Sequence, residues 1–307
     1  MKTVIKNERI RKQDIAVIGM SGKFSNAENL DEFWMNLKNG RDCIRTFPYK
    51  RRQELEKMIQ TKFDNKVIQG GYLDDVTMFE PEIFGMSQEE CRYIDPCDRL
   101  AMELVEQAIL DAGYNPKDIA GENVGIYLSV SGREYSNYCE GSPMALLNHL
   151  SSSIAGRLAY LYDTHGPAVM IDCACASSLL AIHEACKSIV RGEITSAIVG
   201  GVNLLLAPLE ESHIKDLPIL SETQQIKAFD KEADGTMLGE GGGILILKPV
   251  EQAIADGDNI HAIIKGSATN SDGRRSNGMT SPSQEGQADV IKKCIDDSEI
   301  DPKTISY

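Results

Sequence analysis

The chain has 307 residues, 42% of them hydrophobic, and a formal net charge of −14, which suits one large α/β unit with a sizeable core. Such a charge argues against nucleic acid as a partner, because phosphate binding needs a basic face, and no apolar run approaches the ~18 residues of a membrane span. The basic opening "MKTVIKNERIRKQDIAVIGM" carries no hydrophobic export core or cleavage site, so the chain reads as soluble and cytoplasmic, with no membrane association.

Eight irregularly spaced cysteines fit a reduced compartment better than a disulfide framework. "DIAVIGM" (14–20) reads as a buried strand, followed by the short helix "NLDEFWMNLKNG" with Gly40 placed to stop it. A polar, lysine- and arginine-rich segment at 45–65 reads as a surface helix or loop. In "DPCDRLAMELVEQAILDAG", Asp95 is the N-cap, Pro96 the first helical residue and Gly113 the stop. Leu100, Leu104, Val105, Ala108 and Ile109 recur there at helical spacing.

A strand at 124–130 and a helix around 144–162 come next. The strand "GPAVMID" (166–172) leads directly into a helix from near Cys175 to about Arg191, stopped by Gly192. Strands "SAIVGGVN" (196–203) and "GILILK" (243–248), a helix through Ala255, a strand "HAIIKGSAT" (261–269) and a helix at 284–295 complete the alternation. Strands alternating with helices predict an α/β fold with largely parallel pairing. The similar strands "DIAVIG" and "HAIIKG" would mark two related halves.

The segment "IDCACASSLLAIHEAC" holds three cysteines at a strand-to-helix turn. A free thiol is mostly protonated at neutral pH, and the positive end of a helix favours the thiolate nucleophile. Position therefore selects Cys175 over Cys186, some three turns into the helix, and over Cys173, which precedes the turn. Ala174, Ala176 and Ser177 are small enough for a tight turn resembling a nucleophile elbow. From spacing alone, packing is the commoner role for all three cysteines. Cys173 and Cys175 form a C-x-C with no second pair or histidine cluster to complete a zinc set, so no metal is expected. The glycines of "GEGGGILILK" precede a strand and lack Gly-Lys-Ser/Thr, and "GMSGKF" has neither spacing nor hydroxyl, so neither reads as a phosphate loop.

The stretch "GPAVMIDCACASSLLAIHEACKSIVRGEITSAIVGGVNLLL" resembles the nucleophile region of β-ketoacyl synthases, in particular the ketosynthase domains of modular polyketide synthases. The likeness continues in "DIAVIGMSGKFSNAENLDEFWMNLKNGRD", "GGYLDDVTMFEPEIFGMS", "IDPCDRLAMELVEQAILDAGY", "FDKEADGTMLGEGGG" and "GSATNSDGRRSNGMTSPS", in the family's order. It implies a thiolase-like fold of five α-β-α-β-α layers, the first half complete and the second truncated. On that reading 1–12 is a tail, 13–248 the N-terminal half and 249–307 the start of the C-terminal half.

The resemblance makes Cys175 the catalytic nucleophile, with its own N–H an oxyanion donor. It places Thr236 near the acyl pocket, where a small residue leaves room for a bulkier chain. No cofactor is bound directly; substrates ride on the phosphopantetheine of an acyl carrier protein. A homodimer is expected, together with a separate C-terminal ketosynthase segment to supply the two catalytic histidines. None of His149, His165, His183, His213 and His261 matches a catalytic position, so the chain alone is expected not to condense.

Departures from the family pattern are Cys173 for threonine, Ala176 for serine and "DPCDR" for Asp-Pro-Gln-Gln-Arg, the last expected at a surface. Lys50, Arg51 and Arg52 are the candidate basic patch for carrier docking. Two other readings are a scaffold or acyl-accepting member that does not elongate, and a fatty-acid condensing enzyme. The presence of Cys175 favours catalysis, and the opening segments resemble the polyketide branch.

Overall fold

The computed structural model describes residues 10–63, 67–132, 135, 150–208, 219–278 and 281–307. Among them the strands are β1 (Ile15–Phe24), β2 (Val124–Ser131), β3 (Ala168–Met170), β4 (Ser196–Asn203), β5 (Gly241–Pro249) and β6 (Ala262–Ile264). The α-helices are α1 (Leu30–Lys38), α2 (Tyr49–Ile59), α3 (Gln88–Cys91), α4 (Pro96–Asp111), α5 (Ser153–Tyr162), α6 (Ser177–Val190), α7 (Val250–Asp256) and α8 (Gln284–Ser298).

The strands form one sheet in the order β3-β2-β4-β5-β1-β6. Their alternation sorts side chains onto two faces. Ala16, Ile18, Ile126, Leu128, Ile198, Ile244 and Ile246 pack with Leu104, Val105 and Ala108 of α4 and with Ile154 and Leu158 of α5. Ile15, Val17, Tyr127, Ala197, Val199 and Leu247 pack on the opposite side with Ala181, Ala185, Cys186 and Ile189 of α6. This gives helix, sheet and helix layers, each helix burying one apolar stripe. Full burial of a side chain such as Leu104, 1% exposed, contributes about 1.5–3 kcal/mol.

The pairing is mixed, not largely parallel as expected. β2 runs parallel to β3 and β4, whereas β4–β5, β5–β1 and β1–β6 are antiparallel. The end of β4 faces the start of β5, Asn203 opposite Gly241, so the chain returns at the same edge it left. The central strands β1, β2, β4 and β5 are largely covered on both faces, and a doubly buried strand reads as an apolar run whichever way it points.

Local signals held better. The Asp95 side chain caps α4 by accepting from Cys97 N, Pro96 takes the first turn, and Gly113 and Gly192 follow their helices in the left-handed region at φ 83° and 73°. The strand expected at 166–172 shrinks to Ala168–Met170, and that at 261–269 to Ala262–Ile264. The helix expected at 144–162 is seen as Ser153–Tyr162; residues 144–149 lie outside the described residues.

"DPCDR" is not a surface segment: Asp95, Cys97 and Asp98 are at most 1% exposed. Cys97 lies under the end of β2, its thiol donating to the Ser131 carbonyl at 3.2 Å.

Candidate active site

β3 ends at Met170, Ile171 N still donates to the Leu128 carbonyl, and the chain then turns through a 3-10 turn, Ala174–Ala176, into α6. The expected helix start near Cys175 thus resolves into a tight turn carrying Cys175, with α-helix from Ser177. Ala174 sits at φ +54°, a left-handed conformation unusual for a residue with a Cβ. It is held there on both sides. Asp172 Oδ1 accepts from Ala174 N at 3.2 Å. Ser177 Oγ accepts from Cys173 N at 2.8 Å and donates to the Ala174 carbonyl at 2.6 Å.

Sequence reasoning assigned Ser177 only small size; its hydroxyl is the clip that closes the turn. The signal was present, since serine and aspartate side chains commonly satisfy backbone groups at helix starts.

Cys175 is exposed and lines a cavity of about 750 Å³. The cavity lies at the carboxyl ends of β1, β2 and β4 and the start of β5. Its walls include Phe24, Ser131, Ser178, Gly201, Asn203 and Gly242. Openings at the carboxyl ends of parallel-pointing strands are where α/β proteins usually place ligands. Ser131 Oγ donates to Asn203 Oδ1 at 2.7 Å, and Asn203 Nδ2 donates to the Gly239 carbonyl at 2.6 Å, which fixes one polar corner.

Cys186 is buried in the α6–sheet packing, and burial pushes its thiol up to about 12, so it stays protonated and unreactive. Cys173 is exposed like Cys175. His183 hydrogen-bonds through Nδ1 to Ser267 Oγ at 2.8 Å, and burial holds its pKa below the ordinary value. His165 lies 3.3 Å from Asp163 Oδ1, and His261 Nε2 lies 2.9 Å from Asp111 Oδ2. None of these three lines the cavity; His149 and His213 lie outside the described residues.

The structure corrects the basic patch. Arg51 is 3% exposed and pairs through two contacts with Glu240, Nη1–Oε2 2.6 Å and Nη2–Oε1 2.8 Å. Lys50 pairs with Asp75, and Arg52 with Glu56 and the Phe63 carbonyl. A run of three cations in sequence splits because successive helical residues point about 100° apart. Thr236 stands exposed at a bridge to Leu220 and is not among the residues lining the cavity, so its place near an acyl pocket rests on the resemblance alone.

Residues 12–253 match the family model "Beta-ketoacyl synthase, N-terminal domain", and residues 261–307 match "Beta-ketoacyl synthase, C-terminal domain". The chain belongs to the β-ketoacyl synthase family, with the thiolase-like fold of its structural neighbours.

Within that family it is of the kind found as ketosynthase domains in modular polyketide synthases. It is 38% identical over 312 residues to polyketide synthase PksL of Bacillus subtilis, covering 96% of this chain and 7% of that protein. It is 39% identical to PksM of the same organism, over 96% of this chain and 7% of that one. The solved ketosynthase from module 6 of the Bacillus subtilis bacillaene synthase superposes with a TM-score of 0.84 at 37% identity, covering 96% of this chain and 50% of that chain. The chain therefore spans about half of that ketosynthase and a small fraction of the curated relatives.

Proposed function

We propose that this chain carries the nucleophile half of a polyketide ketosynthase, with Cys175 as the acyl acceptor. The observation that carries the reading is the exposed Cys175 on a clipped turn at the start of α6, opening onto a cavity. The thiolate attacks the carbonyl carbon of an acyl thioester on the phosphopantetheine of an acyl carrier protein. The tetrahedral oxyanion collapses, the pantetheine sulfur leaves with a proton, and the acyl group stays on Cys175. A malonyl-type thioester then loses carbon dioxide, its carbanion attacks the acyl carbonyl, and Cys175 leaves as thiolate.

Decarboxylation in the family uses two histidines, and no described histidine of this chain faces Cys175. Condensation accordingly depends on a C-terminal ketosynthase segment that supplies them, and the chain alone loads without elongating. Loss of a single oxyanion donor typically lowers rate ~10²–10³-fold, and loss of both histidines lowers it further. A homodimer is supported by β3, an edge strand with Ala168 and Val169 exposed.

Intact-mass analysis after incubation with a pantetheine thioester tests the reading, with and without a co-expressed C-terminal segment. The expected result is one acyl adduct at Cys175. Absence of that adduct with the segment present overturns the proposal.

A further inference from the structure

Seven cysteines are described, all free, and Cys173 and Cys175 are the two exposed ones. Cys97 and Cys186 are buried, and Cys43, Cys91 and Cys294 are partly so. The exposed pair is separated by Ala174 alone, in its left-handed conformation, with Cys173 at φ −141° and ψ 45°. Two residues apart, Cα atoms can be at most about 7 Å distant even in a fully extended chain. A turn shortens that span into the roughly 4.4–6.8 Å range in which disulfides form. The clip formed by Ser177 Oγ and Asp172 Oδ1 keeps the turn in place while both cysteines are exposed.

We propose that Cys173 is a resolving thiol for Cys175, so that hydroperoxide oxidation of Cys175 ends in a reversible Cys173–Cys175 disulfide. The Cys175 thiolate attacks the peroxide oxygen, giving a sulfenic acid and releasing hydroxide. The Cys173 sulfur then displaces that hydroxyl, forming the S–S bond and releasing water. Together two thiols lose two hydrogens and one hydrogen peroxide becomes two waters. The small ring is strained, which makes the bond readily reduced by thiols. It also halts oxidation before the irreversible sulfinic stage and removes the acyl-accepting sulfur while it lasts. Only this last consequence rests on the acyl-acceptor reading.

The test exposes the full chain, wild type and Cys173→Ser, to hydrogen peroxide and maps thiols by mass spectrometry. Cleavage after Glu184 separates Cys186 from the pair. The wild-type peptide is expected to lose two hydrogens, resist iodoacetamide and recover fully with dithiothreitol. In Cys173→Ser, Cys175 should gain two or three oxygens, leaving about a tenth or less of its alkylation recoverable. Equal over-oxidation in the two proteins, or a wild-type disulfide joining Cys175 to any other cysteine, overturns the proposal. Acyl loading of the same samples is read separately: reduced protein that never loads counts against the acyl-acceptor reading and leaves the thiol map standing.

Discussion

Arg51 on α2 and Glu240 just before β5 form a two-point ion pair with side chains 3% and 0% exposed. Each partner also satisfies backbone. Arg51 donates to the Leu73 and Leu205 carbonyls, and Glu240 accepts from Leu73 N and Leu205 N. The guanidinium also lies 4.7 Å from the Phe47 ring centroid. The pair thus fastens α2 to the strand that walls the cavity.

Removing one partner leaves a buried charge and orphaned backbone groups, so Glu240→Ala should destabilise by about 3–5 kcal/mol. Glu240→Gln keeps one acceptor oxygen and should lose less. Urea midpoints of the two variants check the order; equal midpoints, both unchanged, would refute it.

Gly19 of β1 lies directly against α4. A Cβ there would sit 2.3 Å from the Ala108 carbonyl oxygen and 2.7 Å from the Ala112 Cβ. Backbone cannot yield as a flexible side chain can, so Gly19→Ala should destabilise by about 1–3 kcal/mol or more, measured by thermal unfolding. The first glycine of "GMSGKF" thus serves helix–strand packing.

Asp14 is buried and carries an acid-sensitive contribution. Burial alone would raise its carboxyl, but hydrogen bonds from Lys265 and Arg11 and the Lys265 charge outweigh it and leave the pKa below the ordinary value. The unfolded chain therefore takes up that proton more readily. The stabilisation is complete above the unfolded value, about pH 4, and is lost as pH falls through the folded value. Asp14→Asn should lower stability at neutral pH and flatten the acid limb of a stability–pH curve; an unchanged limb would count against this assignment.

Burial separates the two thiols on α6 and its leading turn. Iodoacetamide should modify Cys175 in the folded protein, whereas Cys186, pushed up to about 12 by burial, should react only after unfolding. Cys175→Ala should reduce acyl loading to background and Cys186→Ala should not. Loading that survives Cys175→Ala would place the acceptor elsewhere.

Much of the site was legible in the residues. The cap at Asp95, the stops at Gly113 and Gly192 and the turn ahead of α6 are set by interactions spanning a few positions, and all four stand where the sequence put them. The turn's clip was readable too, because Asp172 and Ser177 lie within three residues of Ala174. The fate of the basic run at 50–52 was not readable, since Arg51 meets a carboxylate 189 positions away.

The sequence by itself determined where most strands and helices lie, and which cysteine sits on the turn leading into a helix, because capping and periodicity act between near neighbours. Tertiary structure alone decided that β5 runs against β4, that Cys97 and Arg51 are interior, and that Cys175 faces a cavity. Those outcomes depend on which apolar faces find each other across the sheet, and a doubly covered strand carries no local mark of its direction.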